Sequence, residues 1–260
     1  MKISIIQMDV RLGEPRYNYC HAVELMGKAL TDKPDVIILP EMFNTAYAFD
    51  VIDSVADVDG NGLIESFTPF IQSAKVNIVA GSISDFREGA LYNTAYVFDR
   101  TGGVICRYDK IHLFGLMDED KFLKAGEKLG YFEMDKAPAG VIICYDLRFP
   151  ELTRSLALKG AKILFIPAEW PKPRLNHWRM LQIARAIENQ MYVVSCNRVG
   201  EKTSDVFFGH SMVIDPWGEV ILEMGENEDI KTVDIDLSTV DDARESIPVF
   251  KDRSPDIYLL

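Results

Sequence analysis

The sequence predicts an α/β layered sandwich in which helices cover the outer faces of the sheets. Two observations predict it. Short runs rich in Ile and Val recur between amphipathic helical patterns, as expected of strands buried on both faces. In the middle and toward the end of the chain, strand-like runs follow one another with only turns between them, and the mixture of the two patterns suits such a sandwich. Periodicity alone does not give the strand order.

Taken in order, residues 3–6 and 36–39 read as buried strands. Between them a helix over 17–30 places Ala22, Leu25, Met26 and Ala29 on one stripe. Residues 77–84, 91–99 and 104–108 read as successive strands, with turns at Arg87-Glu88-Gly89 and Thr101-Gly102-Gly103. Another strand is expected over 141–143. The helix after it, 149–159, opens with Pro150 at its first position and stops before Gly160. Strands over 163–166 and 192–194 flank a helix over 175–189, expected to bury Leu175, Trp178, Leu181, Ala184 and Ile187. Late strands are expected over 211–214, 219–223 and 232–236, with a turn at Asp215-Pro216-Trp217-Gly218. No linker, repeat or low-complexity tract interrupts the chain, so residues 1–260 read as one domain.

Composition bounds the function. At 260 residues, 48% apolar and 26% charged, the chain can bury a sizeable core without disulfides or metals. A net charge of -12 repels phosphate backbones and anionic lipid, so neither nucleic acid nor membrane is an expected partner. The start reaches acidic residues too soon for a signal peptide, and no apolar run has the length of a membrane span. Cys20, Cys106, Cys144 and Cys196 form no CxxC pair, which fits reduced thiols in a cytoplasmic protein. His21, His112, His177 and His210 are scattered, so no metal is expected, and no cofactor is required.

Three positions carry chemistry. Cys144 closes the run Val141-Ile142-Ile143 and precedes a helix, a strand-to-helix turn that exposes a nucleophile and aims backbone N–H groups at a developing oxyanion. Against this, a lone Cys after an aliphatic run is commonly an inert buried residue. Glu41 follows Val36-Ile37-Ile38-Leu39-Pro40, at the strand end where α/β folds place their sites, and partial burial suits a general base. Lys110 follows the strand over 104–108 and offers an ammonium to an oxyanion, or merely pairs with Asp109. Each is weak alone. Together they supply a base, an oxyanion stabiliser and a nucleophile, the parts that amide hydrolysis requires.

The blocks LPEMF around Glu41, YDKIHLF around Lys110 and ICYDLRFPEL around Cys144 resemble the three signature blocks of the nitrilase (carbon–nitrogen hydrolase) superfamily, in their order. The resemblance extends to Gln7, GSIS, YNTAYVFD, AEWPKPRLNHWRMLQIARAIEN, GHSMVIDPWGEV and IPVFKDRSPDIY, nearly the whole chain. The later blocks look like those of the omega-amidase branch, whose members hydrolyse monoamides of 2-oxo-dicarboxylic acids such as 2-oxoglutaramate. The resemblance implies a four-layer α-β-β-α sandwich that dimerises, and a cysteine amidohydrolase passing through a thioester. It also implies a second glutamate between the lysine and the cysteine, which falls on Glu119.

A carboxylate-bearing amide needs a local cation on this acidic protein. Arg148 is the first candidate, with a structural pair to Asp146 or Glu151 as its alternative, and Arg174 with His177 the second. Tyr145 offers its N–H to the oxyanion, and Phe43 and Trp170 are expected to form the apolar wall. Alternatives are a nitrile, a carbamoyl amino acid or an aliphatic amide as substrate, a Cys–His hydrolase using His112 or His177, and a non-catalytic scaffold. As a low-pKa thiolate, Cys144 is expected to alkylate before the other cysteines. The apolar stretches 247–250 and 257–260 are expected to pack at a symmetric dimer interface.

Overall fold

The computed structural model describes residues 1–202 and 205–258. Its strands are β1 Lys2–Gln7, β2 Val36–Ile38, β3 Asp57–Val58, β4 Asn77–Arg87, β5 Ala90–Phe98, β6 Val104–Asp109, β7 Gly130–Met134, β8 Ala137–Val141, β9 Ile163–Ala168, β10 Tyr192–Asn197, β11 Val199–Lys202, β12 Asp205–Phe208, β13 Met212–Ile214, β14 Val220–Glu223 and β15 Asp229–Asp234. Its α-helices are α1 Pro15–Ala29, α2 Ile52–Val55, α3 Asn61–Ala74, α4 Glu119–Phe122, α5 Pro150–Leu158, α6 Leu175–Asn189 and α7 Ser238–Ser246.

Two sheets carry the fold. One runs β15-β1-β2-β4-β5-β6, with β3 beside β4, and the other runs β14-β13-β10-β9-β8-β7. Each is parallel at its centre, through β1-β2-β4 and β8-β9-β10, and antiparallel at its edges. The aliphatic runs are these central strands. They are fully buried because one face meets the other sheet and the other face meets helices. Between the sheets, Ile3, Ile5, Val36, Ile38 and Val79 pack with Val141, Phe165, Val194 and their neighbours. On the outside of the first sheet, Ala22, Met26, Leu63, Phe67 and Ile71 of α1 and α3 cover Ile6, Ile37 and Ile78. On the outside of the second, α5 and α6 contribute Leu152, Leu156, Trp178 and Ala186. The layers are therefore α-β-β-α, as expected.

Some local readings change. The strand expected over 141–143 is β8, which ends at Val141. The helix α3 was not expected because Gly62 and Pro69 interrupt its pattern. The β7-β8 hairpin turns through Asp135 and Lys136, both with positive φ (50° and 67°), a primed turn without the Asn-Gly or Asp-Gly signal that marks such turns. The face of α6 is also different. It buries Trp178, Gln182, Arg185, Ala186 and Asn189, while Ile187 is 51% exposed. Polar residues lie inward there because they bind backbone: the Arg185 guanidinium donates to Leu147 O at 2.9 and 3.1 Å.

Candidate active site

The site lies where the central strands end. Glu41 follows β2, Lys110 follows β6, Glu169 and Trp170 follow β9, and Cys144 lies three residues past β8, the carboxyl edge at which α/β sheets place ligands. Loop geometry reinforces this. Cys144 has φ 45° and opens a short 3-10 turn, Cys144–Arg148, so a non-glycine residue is held in left-handed backbone on a tight elbow. Met42 and Ala46 beside Glu41 are left-handed as well (φ 46° and 49°). Close approach to this loop requires Gly81, because a Cβ there would stand 1.9 Å from Pro40 O.

Glu41, Lys110 and Glu119 are buried together. The Lys110 ammonium donates to Glu41 Oε1 at 2.8 Å and to Glu119 Oε1 and Oε2 at 2.9 and 2.8 Å. Burial alone would lower its pKa, but the two carboxylates outweigh this and hold it well above the usual lysine value. Glu41 Oε1 also accepts from Tyr47 O–H (2.6 Å) and Asn93 Nδ2 (2.8 Å), and its Oε2 accepts from the backbone N–H of Glu169 (2.7 Å). Glu119 accepts from Tyr47 O–H (2.8 Å) and the N–H of Phe114 (2.6 Å). Charge buried this completely persists only with such dense hydrogen bonding.

Cys144 is 7% exposed. Burial and the neighbouring Glu41 push its thiol well above the usual cysteine range, with Lys110 pulling the other way. These surroundings favour the thiol over the low-pKa, accessible thiolate that was expected, and Cys20 is the exposed cysteine. Among the groups acting most strongly on Cys144 are Glu41, Lys110 and Glu119. The histidines are engaged elsewhere. His112 Nδ1 meets Asp146 at 2.8 Å and its ring stacks on Phe149, while His177 lies against Arg148.

Asp146 shapes the elbow. Its buried carboxylate accepts from Ile143 N–H (2.9 Å), Tyr108 O–H (2.7 Å) and His112 N–H (3.0 Å). It therefore ties the turn carrying Cys144 to the segment carrying Lys110, and it is not a partner of Arg148. Arg148 instead stacks 4.6 Å from Trp170, and Arg174 lies 5.4 Å from the Phe114 ring. Among the described residues neither arginine has a carboxylate ion-pair partner.

Cys144, Lys110, Tyr145, Arg148, Trp170 and Arg174 line one cleft. Phe43 does not. It is buried under the first sheet, stacked on Phe67, because its side chain turns away from Glu41 into the helical layer. Asp109 pairs with Arg87 and leaves Lys110 to the glutamates. Tyr47, Asn93, Asp146 and Glu169 were missed. Only Asp146 was within reach of sequence reasoning, as a carboxylate at the third position of the helical turn, placed to cap it.

A family model described as carbon-nitrogen hydrolase matches residues 2–245. The chain is 45% identical to the 2-oxoglutaramate amidase of Bacillus subtilis over 256 residues, 98% of each chain. It is 34% identical to an omega-amidase of Xenopus tropicalis over 266 residues, 99% of this chain and 96% of the relative. The crystal structure of XC1258 from Xanthomonas campestris, a CN-hydrolase superfamily protein, matches with a TM-score of 0.91 at 28% identity, covering 100% of this chain and 98% of that one. The family resemblance read from the signature blocks is borne out.

Proposed function

The chain belongs to the carbon–nitrogen hydrolase family, and from that premise we propose that it is an omega-amidase, releasing ammonia from a small amide that carries a carboxylate at its far end. One observation carries the choice of substrate: two arginines without carboxylate partners among the described residues share a cleft with the cysteine of a buried Glu–Lys–Glu cluster. The 2-oxoglutaramate amidase relative supports the same choice.

In this reading Glu41 takes the proton of the Cys144 thiol as sulfur attacks the amide carbonyl. The Lys110 ammonium and the N–H of Tyr145 stabilise the oxyanion. Tyr145 is in the first turn of its short helix, where N–H groups lack intrahelical acceptors. Collapse of the tetrahedral adduct breaks the C–N bond. Glu41 returns the proton to the nitrogen, ammonia departs and a thioester remains on Cys144. Water, deprotonated by Glu41, attacks the thioester and yields the carboxylic acid and the free thiol. Glu119 holds the Lys110 charge in place and orients the amide. The substrate carboxylate meets Arg148, with Arg174 beside it; His177, expected there, lies against Arg148 outside the cleft lining.

A panel of amides tests this. The wild type should prefer 2-oxoglutaramate or succinamate to butyramide. Arg148→Met should cost the acidic substrates about 2–4 kcal/mol of transition-state stabilisation and spare butyramide. A wild type that prefers butyramide would overturn the choice of substrate.

The protein is further read as a cytoplasmic homodimer. Four free thiols suit a reducing compartment. No described helix is long and apolar enough to cross a membrane. Met180 and Ile187 on α6, with Trp217 just before β14 and Ile221 within it, leave apolar surface in solvent, as do Ile257 and Tyr258. Phe250 packs on its own chain, between Arg154 and Arg244, whereas Ile247 is 51% exposed and, with the end of the tail, is free to reach a partner. Leu259 and Leu260 lie outside the described residues. Light scattering should give twice the 29.4 kDa chain mass; a stable monomer at micromolar concentration would contradict the dimer.

A further inference from the structure

Two cavities stand back to back at the site. The cleft over Cys144 has about 10 Å³ of free space, room for one water at most. Next to it lies a second cavity of about 450 Å³, half open to solvent. Tyr47 and Met117 line both, so their side chains form the wall between them. The far side is mixed. Leu12, Val51, Leu116 and Phe122, all partly open to solvent, line it together with Asp50 and Asp118, and Phe122 stacks on Phe49 at 4.5 Å.

The two parts of the wall differ in freedom. The Tyr47 hydroxyl is bonded to Glu41 and Glu119, and moving it would break contacts to buried charge. Met117 ends the single turn Gly115–Met117 and is held through its backbone N–H to Phe114 O at 3.0 Å. The next residue, Asp118, is left-handed (φ 63°) and leads into Glu119. The backbone is thus anchored, while the half-buried thioether side chain keeps the flexibility of an unbranched chain.

We propose that Met117 is a specificity-determining residue: it sets the longest acyl chain the enzyme accepts, by closing off the second cavity as an acyl-chain subsite. The inference rests on the amidase reading of the Cys144 cleft. If ammonia is the leaving group, only the acyl part of a substrate can grow. A short acyl chain fits between Cys144 and Arg148 once the lining side chains part. A longer aliphatic chain would find free volume beyond Met117.

The test compares kcat/KM for butyramide and octanamide in the wild type, Met117→Ala, Met117→Leu and the double variant Met117→Ala/Val51→Trp. Val51 lines the second cavity and not the first. Met117→Ala should raise the octanamide-to-butyramide ratio at least about tenfold, the scale at which pockets discriminate by methylene groups. Met117→Leu, which keeps the bulk, should hold the wild-type ratio, and the added tryptophan should abolish the gain. An unchanged ratio in active Met117→Ala overturns the proposal, as does a gain that survives Val51→Trp. If the wild type releases no ammonia from any amide, including 2-oxoglutaramate, the underlying amidase reading fails instead.

Discussion

A thiol is a poor nucleophile until something takes its proton, and the surroundings of Cys144 oppose losing that proton unaided. Burial and the charge of Glu41 both favour the neutral form. Attack must therefore be coupled to transfer onto a base, and Glu41 is the carboxylate whose charge acts on the thiol most strongly. The free protein should accordingly alkylate with iodoacetamide at Cys20 before Cys144 near neutral pH. Fast labelling of Cys144 would show a preformed thiolate and remove the need for a base. Cys144→Ala should abolish turnover, and Glu41→Gln, Lys110→Arg and Glu119→Gln should each lose at least about a hundredfold, the scale of one oxyanion contact. Circular dichroism on each variant separates lost chemistry from lost fold. At this scale the sequence was readable wherever a strand run ended in a polar side chain, which describes Glu41 and Cys144. Tyr47 and Asn93 carried no such sign. They reach Glu41 only because β4, β5 and the Glu41 loop converge, and convergence is a property of tertiary packing.

Elements were readable to the extent that burial was apolar. The central strands face hydrophobic layers on both sides, so their composition announces them. The α1 stripe of Ala22, Leu25, Met26 and Ala29 is buried as expected. The α6 stripe was readable only in part. Trp178 is buried and Leu175 and Leu181 pack on the core, but the inner face also binds main chain through Arg185, with Gln182 and Asn189 bonded within the helix, so the buried face is turned away from Ile187. The apolar residues left outside, Met180 and Ile187, belong instead to the surface proposed for dimerisation. Phe43 follows the same rule at a strand end. An aromatic ring two residues from a functional glutamate suggests a substrate wall, yet its direction is set by the helical layer behind it.

At the scale of the whole molecule, the two ends of the sandwich do different work. The carboxyl ends of the central strands hold the charged cluster. At the opposite end the two sheets are tied by Arg100 in the β5-β6 turn. Its Nε and Nη2 donate to Asp135 of the β7-β8 turn at 2.9 and 2.6 Å, and Nη2 also donates to Asp35 ahead of β2 at 3.0 Å. Asn77 of β4 adds a bond to Asp135 at 2.7 Å. Arg100 and Asn77 hold the Asp135 carboxyl below its ordinary range. Burial would raise Asp35, but the N–H of Lys2 and the guanidinium overcome it and lower that carboxyl too. Both groups bind fewer protons folded than unfolded, so their contribution is present above the unfolded aspartate pKa of about 4 and is lost as pH falls through the lowered folded values. Asp35 and Asp135 are 42% and 37% exposed, so solvent screening limits the clasp to about 1 kcal/mol or less. Arg100→Met should therefore lower the urea midpoint at pH 7, and the gap from wild type should narrow as the pH is taken below about 4. Since the clasp is remote from Cys144, turnover per folded molecule should not change. A gap that stays constant with pH would mean that the arginine acts through packing of its stem rather than its charge.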